Sequence, residues 1–340
     1  MSRPAPPAAI DEAEGPVDHT RFHKEIRPAG KPLVMRGLVR DWPAVAAAGE
    51  GDEPICRYLI SCNPSRPVTA LVAPPEEGGR YFYNSDITGF NFRTGRGSLG
   101  DFLADLIRAH TAESPPAFAV QSEIISELMP AFARANALDI LPQVEPRIWI
   151  GNRIRVAPHF DLMENVACNV AGERRFTLFP PEQIGNLYTG PIELTPAGAP
   201  VSMVDIADPD LEAFPRFTEA WEHAVQATLE PGDALYIPFA WWHGVESLAP
   251  VSILVNYWWA ETVEGTGAPW DALLHALLAY RHLPEDQRKV WRGLLGHYVF
   301  AESDDPVAHL PGAAKGVLGP PDPQKFAAMR DMLKQAIQRL

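Results

Sequence analysis

His159-Phe160-Asp161 sets an imidazole and a carboxylate two positions apart. On an extended strand successive side chains point to opposite faces, so these two share one side and can share one cation. A third ligand type lies 82 positions beyond Asp161, at His243 in GDALYIPFAWWHGVES. Two neutral imidazoles and one carboxylate on one face of an octahedron leave three positions open, the donor set of non-haem Fe(II) oxygenases. The H-x-acid pattern is not unique, because ten histidines are present and His23-Lys24-Glu25 is a second match. Position separates them: His159 lies among strand-like runs, whereas His23 precedes them in a polar segment and reads as a solvated surface residue. His243 also has a plainer reading, as a core histidine packed beside Trp241 and Trp242.

Those ligands need a scaffold that brings distant strands together. Between positions 147 and 259 the runs RIWI, RIRV, NVACNV, RRFTLF, TLE, ALYI and SILVNYWW are separated by GN, AGE, PGD and LAP. Many short strands divided by turn chemistry predict a β sandwich or barrel. Upstream, KPLVMRGLVRDW (31–42) reads as a strand ending in a turn and LGDFLADLIRAH (99–110) as a helix, so the first third is mixed α/β. Downstream, WDALLHALLAY, DQRKVWRGLLGHYVF and a last stretch over about 322–340 repeat apolar residues at helical intervals. The expected organisation is a flexible leader over 1–15, rich in Pro, Ala and acidic residues, then a domain over 16–262 with its barrel core at about 116–262. A helical region over 263–340 follows, and its apolar stripes make it a candidate homodimerisation element.

With 29 Lys+Arg against 43 Asp+Glu the net charge is -14, so the global field does not favour nucleic acid. Cys56, Cys62 and Cys168 have no zinc-like spacing. Cys168, in NVACNV, reads as a small buried apolar residue and not as a nucleophile. No apolar run marks a signal peptide or a membrane span, and the expectation is a soluble, cytoplasmic protein.

Two long segments go further. APHFDLMENVACNVAGERRFTLFPPEQIGNLY and EPGDALYIPFAWWHGVESL, followed by VNYWW, resemble in order and separation the two metal segments of the JmjC or cupin-like 2-oxoglutarate oxygenases. In motif they look most like the branch containing the asparaginyl hydroxylase that inhibits hypoxia-inducible factor. The resemblance covers roughly 31–261, is dense over about 145–260 and thins in the helical tail. It implies a mainly β fold with flanking helices, a double-stranded β-helix (jelly roll) carrying a C-terminal helical element. It also implies that His159, Asp161 and His243 hold Fe(II), which with 2-oxoglutarate as cosubstrate and O2 hydroxylates a protein, peptide or small molecule, releasing succinate and CO2.

By the same resemblance Asn165 and Asn256 line the cofactor pocket. On the strand after the AGE turn the family usually has a lysine for the far carboxylate of 2-oxoglutarate, and this chain has Arg174. Arginine is always charged and grips a carboxylate through two parallel hydrogen bonds, although its fork needs more room. Arg175 is the competing position: the period of two sends the neighbours to opposite faces, and the turn length decides which faces inward. The family's cosubstrate tyrosine is absent from PPAFAVQSE, which offers Phe118 and Ala119, with Gln121 the polar residue able to face the pocket. Pro200 and Val201 stand where the asparaginyl hydroxylase has substrate-binding side chains, so its substrate does not carry over. In RYFYNSDITGFNF, which resembles bacterial cupin-like relatives, Tyr83, Asn84 and Asp86 are candidate pocket residues, with a plain surface loop as the alternative. Trp241, Trp242, Trp258 and Trp259 read as core and rim packing, and Trp258 also as a border to the substrate. Two other functions fit a cupin scaffold: a metal-dependent isomerase or hydrolase that does not use 2-oxoglutarate, and a non-catalytic binding protein.

Overall fold

The runs of the middle third pair into two facing sheets, and the computed structural model describes residues 5–261, 266–302 and 305–339. In chain order the strands are β1 (Ala8–Ala9), β2 (Leu33–Met35), β3 (Val68–Ala73), β4 (Arg80–Tyr81), β5 (Arg93–Gly97), β6 (Ala117–Ile124) and β7 (Pro146–Gly151). They continue as β8 (Arg155–Phe160), β9 (Glu164–Ala171), β10 (Arg174–Phe179), β11 (Val225–Leu229), β12 (Ala234–Ile237), β13 (Trp242–Ser247) and β14 (Ser252–Trp259). The smaller sheet has the order β1-β11-β10-β13-β8-β4 and the larger β2-β12-β9-β14-β7-β6-β3-β5. From β7 to β14 the chain crosses repeatedly between the sheets, which is the winding of a cupin-type double-stranded β-helix.

Alternation explains the packing. Phe176, Leu178, Ala227 and Leu229 of the smaller sheet meet Ala167, Leu235, Ile237 and Leu254 of the larger one inside the barrel. The opposite face of the larger sheet is covered as well: Val166, Cys168, Val170, Ile253 and Val255 pack with Leu59, Phe102, Leu103 and Leu106. The last three ride on the helix Leu99–Ala109, whose start is capped by Ser98 accepting from the Asp101 N–H. Burial on both faces is why NVACNV reads as a near-continuous apolar run.

Two expectations need correction. Part of the segment read as a leader belongs to the sheet, because Ala8 and Ala9 pair in parallel with Val225 and Gln226 and Ile10 is 4% exposed; residues 1–4 lie outside the described residues. His23 is not a solvated surface group: it is half-buried, with Nε2 3.1 Å from the Ile140 carbonyl oxygen and its ring against Phe22.

The chain divides into two units, Met1–Ala260 and Glu261–Leu340. The second is built on helices Pro269–Tyr280, Glu285–Tyr298 and Pro323–Ile337, the last capped by Asp322 accepting from the Gln324 and Lys325 N–H groups. Among the described residues no helix is long and apolar enough to cross a membrane.

Candidate metal centre

His159 on β8 and His243 on β13 stand directly opposite in the antiparallel register, with ring centroids 4.3 Å apart. The register shifts next to them: between His243 and Val245 one residue faces the two residues that separate His159 from Val156. This is a bulge, and Pro158, which has no N–H for the ladder, sits in it. Asp161 follows the end of β8, where the Ala240 N–H donates to its carbonyl oxygen at 3.1 Å, tying together the two segments that precede and follow the ligands.

Each histidine is oriented by a carbonyl two residues back. His159 Nδ1 lies 3.0 Å from the Ala157 oxygen, and His243 Nδ1 lies 3.1 Å from the Trp241 oxygen. With Nδ1–H donating, each Nε2 keeps its lone pair. Burial, and then the neighbouring His243, push the His159 pKa down to about 4, so that ring is neutral near pH 7. One ligand atom from each of His159, Asp161 and His243 lies within 4.8 Å of the other two. His243 Nε2 is 3.6 Å from Asp161 Oδ2, too far for a hydrogen bond. That oxygen is buried with no hydrogen-bond partner among the described residues. An unpartnered buried carboxylate oxygen beside two imidazole lone pairs fits a bound cation and is costly without one.

The rest of the interior is polar in a directed way. Gly172, with φ 70°, makes the turn from β9 to β10, and the turn sends Arg174 inward opposite Ser247. Arg174 is 5% exposed and its Nη2 donates to Ser252 Oγ at 2.7 Å. Its Nε is buried without a partner among the described residues. Burial lowers its pKa to about 9 with no carboxylate offsetting it; guanidinium is basic enough to stay charged at neutral pH even so. Arg175 takes the other face, paired with Glu246 at 2.8 Å and 40% exposed. On the larger sheet Asn256 Nδ2 donates to Asn165 Oδ1 at 2.8 Å, and Asn256 Oδ1, Ser247 Oγ and the Trp149 and Trp258 Nε1 atoms are buried without partners among the described residues. Trp149 and Trp258 meet edge to face at 5.7 Å. Arg147 lies 5.9 Å from the Trp258 ring and donates to the Ser122 carbonyl and hydroxyl oxygens.

The remaining sequence candidates are spread more widely. Gln121 sits in an irregular stretch of β6 between Val120 and Glu123. Tyr83 lies in a separate cluster with Ala157 and Val201, its hydroxyl donating to the Leu194 carbonyl at 2.9 Å. Asn84 and Asp86 accept from Thr88 within their own loop. Cys168 is fully buried, and burial raises its thiol pKa. Sequence reading missed Trp149, Ser252 and Ser247. Their signal was the strand alternation: Trp149 opposes Leu254, and Ser247 opposes Arg174, so both share the inward face.

The chain is similar to several known proteins. Human HSPB1-associated protein 1 is 40% identical over 116 residues, which is 34% of this chain and 23% of that protein. Jumonji C domain-containing protein 5 of Drosophila melanogaster is 28% identical over 248 residues, 70% of this chain and 57% of that protein. The matches thus span from under a quarter to just over half of these relatives. The X-ray structure of E. coli ycfD aligns at 16% identity with a TM-score of 0.43, covering 95% of this chain and 68% of that one. The family described as "Cupin-like domain" matches residues 19–265, most of the chain and all three candidate ligands, and the chain belongs to that family.

Proposed function

We propose that the protein is an Fe(II)- and 2-oxoglutarate-dependent oxygenase, a hydroxylase held within a JmjC/cupin-like domain over residues 16–262. The observation that carries this reading is a buried arginine, Arg174, that has no counter-ion among the described residues and shares its barrel with a His/Asp/His cluster whose carboxylate oxygen is likewise unpartnered. Arg174 faces Ser247 and His243 lies four residues earlier on the same strand and face, roughly 13 Å at strand rise. An extended arginine side chain and a five-carbon diacid together fill such a span.

Iron bound by His159, Asp161 and His243, with 2-oxoglutarate and O2, would supply the oxidising chemistry and leave succinate and CO2. This chain's residues would do the positioning. Arg174, steadied by Ser252, holds the far carboxylate; Asn165 and Asn256 direct amide groups into the cavity; and the apolar walls around Phe176, Leu178 and Leu254 exclude water. Trp258, Gln121 and Tyr83 are the proposed substrate-side residues. Arg174 also weighs against a metal-dependent isomerase or hydrolase using the same triad, which has no need of a buried cation deep in the barrel.

The substrate in this reading is a protein, peptide or small molecule. One relative is named HSPB1-associated protein 1, which supports a protein partner, and the net charge of -14 speaks against nucleic acid. A cytoplasmic setting and a homodimer formed through the C-terminal helices complete the proposal. The test is oxygen uptake and succinate formation with Fe(II) and 2-oxoglutarate, alongside calorimetry of Mn(II) binding. Wild type should bind the metal and form succinate, and folded His243→Ala should do neither. Undiminished succinate formation by that variant would refute the assignment.

A further inference from the structure

A cleft of about 400 Å³ opens on the outer face of the smaller sheet, behind the metal ligands. Its floor consists of the residues that alternate with the barrel interior: Arg175 and Thr177 next to inward Arg174 and Phe176, and Gly244 and Glu246 next to inward His243 and Val245. The segment 204–207 and Trp221 wall it in. Three arginines, Arg80, Arg155 and Arg175, face two carboxylates, Asp205 and Glu246, across this cleft. The local excess is positive in a chain whose net charge is -14.

The pairing shows which cation is in surplus. Glu246 is engaged by Arg175 at 2.8 Å. Asp205 is shared: Arg155 Nη1 is 3.3 Å from both of its oxygens, whereas Arg80 Nη1 stays 3.7 Å away. Arg80 is stacked on the Phe82 ring at 3.7 Å, and its Nη2, although buried, has no hydrogen-bond partner among the described residues. Burial pulls its pKa below the ordinary value against the influence of Asp205. Arg80 lines the cleft, with 21% of its side chain exposed. Arg80 is thus the least engaged of the three guanidiniums, at the long end of ion-pair range from Asp205, and it shares a walled cavity with apolar Val204, Ile206 and Trp221. The volume is in the range of small-molecule sites and exceeds that of one inorganic anion.

We propose that this cleft is a second binding site, distinct from the metal centre, for a small organic anion whose carboxylate or phosphate head is taken by Arg80 with Arg155 while its apolar body rests on Trp221 and Ile206. The proposal does not depend on the oxygenase reading, because His159, His243 and Arg174 project from the other side of the same strands. Phenyl phosphate and 3-phenylpropionate carry the two heads on one kind of body, and titration of each into the full-length protein by calorimetry separates them. At least one should bind saturably with one site per chain, and the stronger of the two identifies the head. Arg80→Gln should weaken that binding by about 10-fold or more. Ala207→Trp, a change at the exposed rim, should abolish it by filling the cleft, and Arg174→Gln should leave it within about two-fold. Absence of saturable binding in the wild type, binding that survives both cleft variants, or loss confined to Arg174→Gln would overturn the proposal.

Discussion

The difference between Arg174 and Arg175 is one position in sequence and a whole environment in space. Arg175 has Glu246 beside it and partial access to water, so its loss is expected to cost little, as for exposed ion pairs. Arg174 has only a serine hydroxyl for company, and an incoming carboxylate would give its free nitrogen an acceptor. Arg174→Gln should therefore weaken 2-oxoglutarate binding to the Mn(II)-loaded protein by at least about 30-fold, in line with truncation of a buried charge partner. Arg174→Lys should recover part of that loss, since it keeps the charge without the fork. Equal affinity in all three proteins, measured by calorimetry, would remove Arg174 from the cosubstrate site. The cysteines allow a second prediction at this scale. All three are buried, and burial raises each pKa, Cys56 to about 11. Raising a thiol pKa lowers its thiolate fraction at a given pH, and the thiolate is the reactive form. A thiol-reactive dye at pH 8 should label none of them in the native protein and all three in denaturant; rapid native labelling would contradict the packing.

At the scale of elements, a short turn decides which of those arginines faces inward. Gly172 has φ 70°, and a Cβ there would sit 2.5 Å from the Val251 oxygen and 2.7 Å from the Ala249 Cβ. Gly172→Ala therefore combines backbone strain with a clash against the β14 approach, and a loss of roughly 1–3 kcal/mol is expected. The measurement is the urea midpoint, and a midpoint equal to wild type would show that the turn tolerates a side chain. This turn also marks where the sequence stops being legible. Although Asp161 already lies one position past the end of β8, the period of two in NVACNV and RRFTLF indicates strands, because it depends on local alternation. Which arginine faces inward does not, since one residue more or less in the AGE turn inverts the parity of β10. The two-residue β1 was unreadable for a related reason: Ala8 and Ala9 have little strand propensity and are held by the edge of β11. Likewise the bulge at Pro158 exists only as a mismatch between β8 and β13.

At the scale of the whole molecule, features assembled from distant positions were the least legible, and the outer cleft, with Arg80, Arg155, Arg175 and Asp205 drawn from four separate segments, is the clearest example. The helical tail lies at the other extreme, since its apolar periodicity was readable and its helices are present. The tail leaves several large apolar side chains open to water. Leu278 is 76% and Phe300 69% exposed, and Val290, Trp291 and Met332 are exposed as well. Isolated apolar residues on a surface need no explanation, but this many within one small helical unit are characteristic of an interaction site. If a second copy of the chain covers them, light scattering coupled to size exclusion should give twice the chain mass at micromolar concentration. Leu278→Glu combined with Phe300→Glu should give the single-chain mass, because two carboxylates would have to be buried without partners in a two-fold interface that repeats each of them. Both substitutions lie at exposed positions outside the barrel unit, so the variant should keep the wild-type affinity for Mn(II). A wild type that runs as a single chain at every concentration, or a doubly substituted protein that still runs at twice the mass, would exclude the helical unit as the dimer contact.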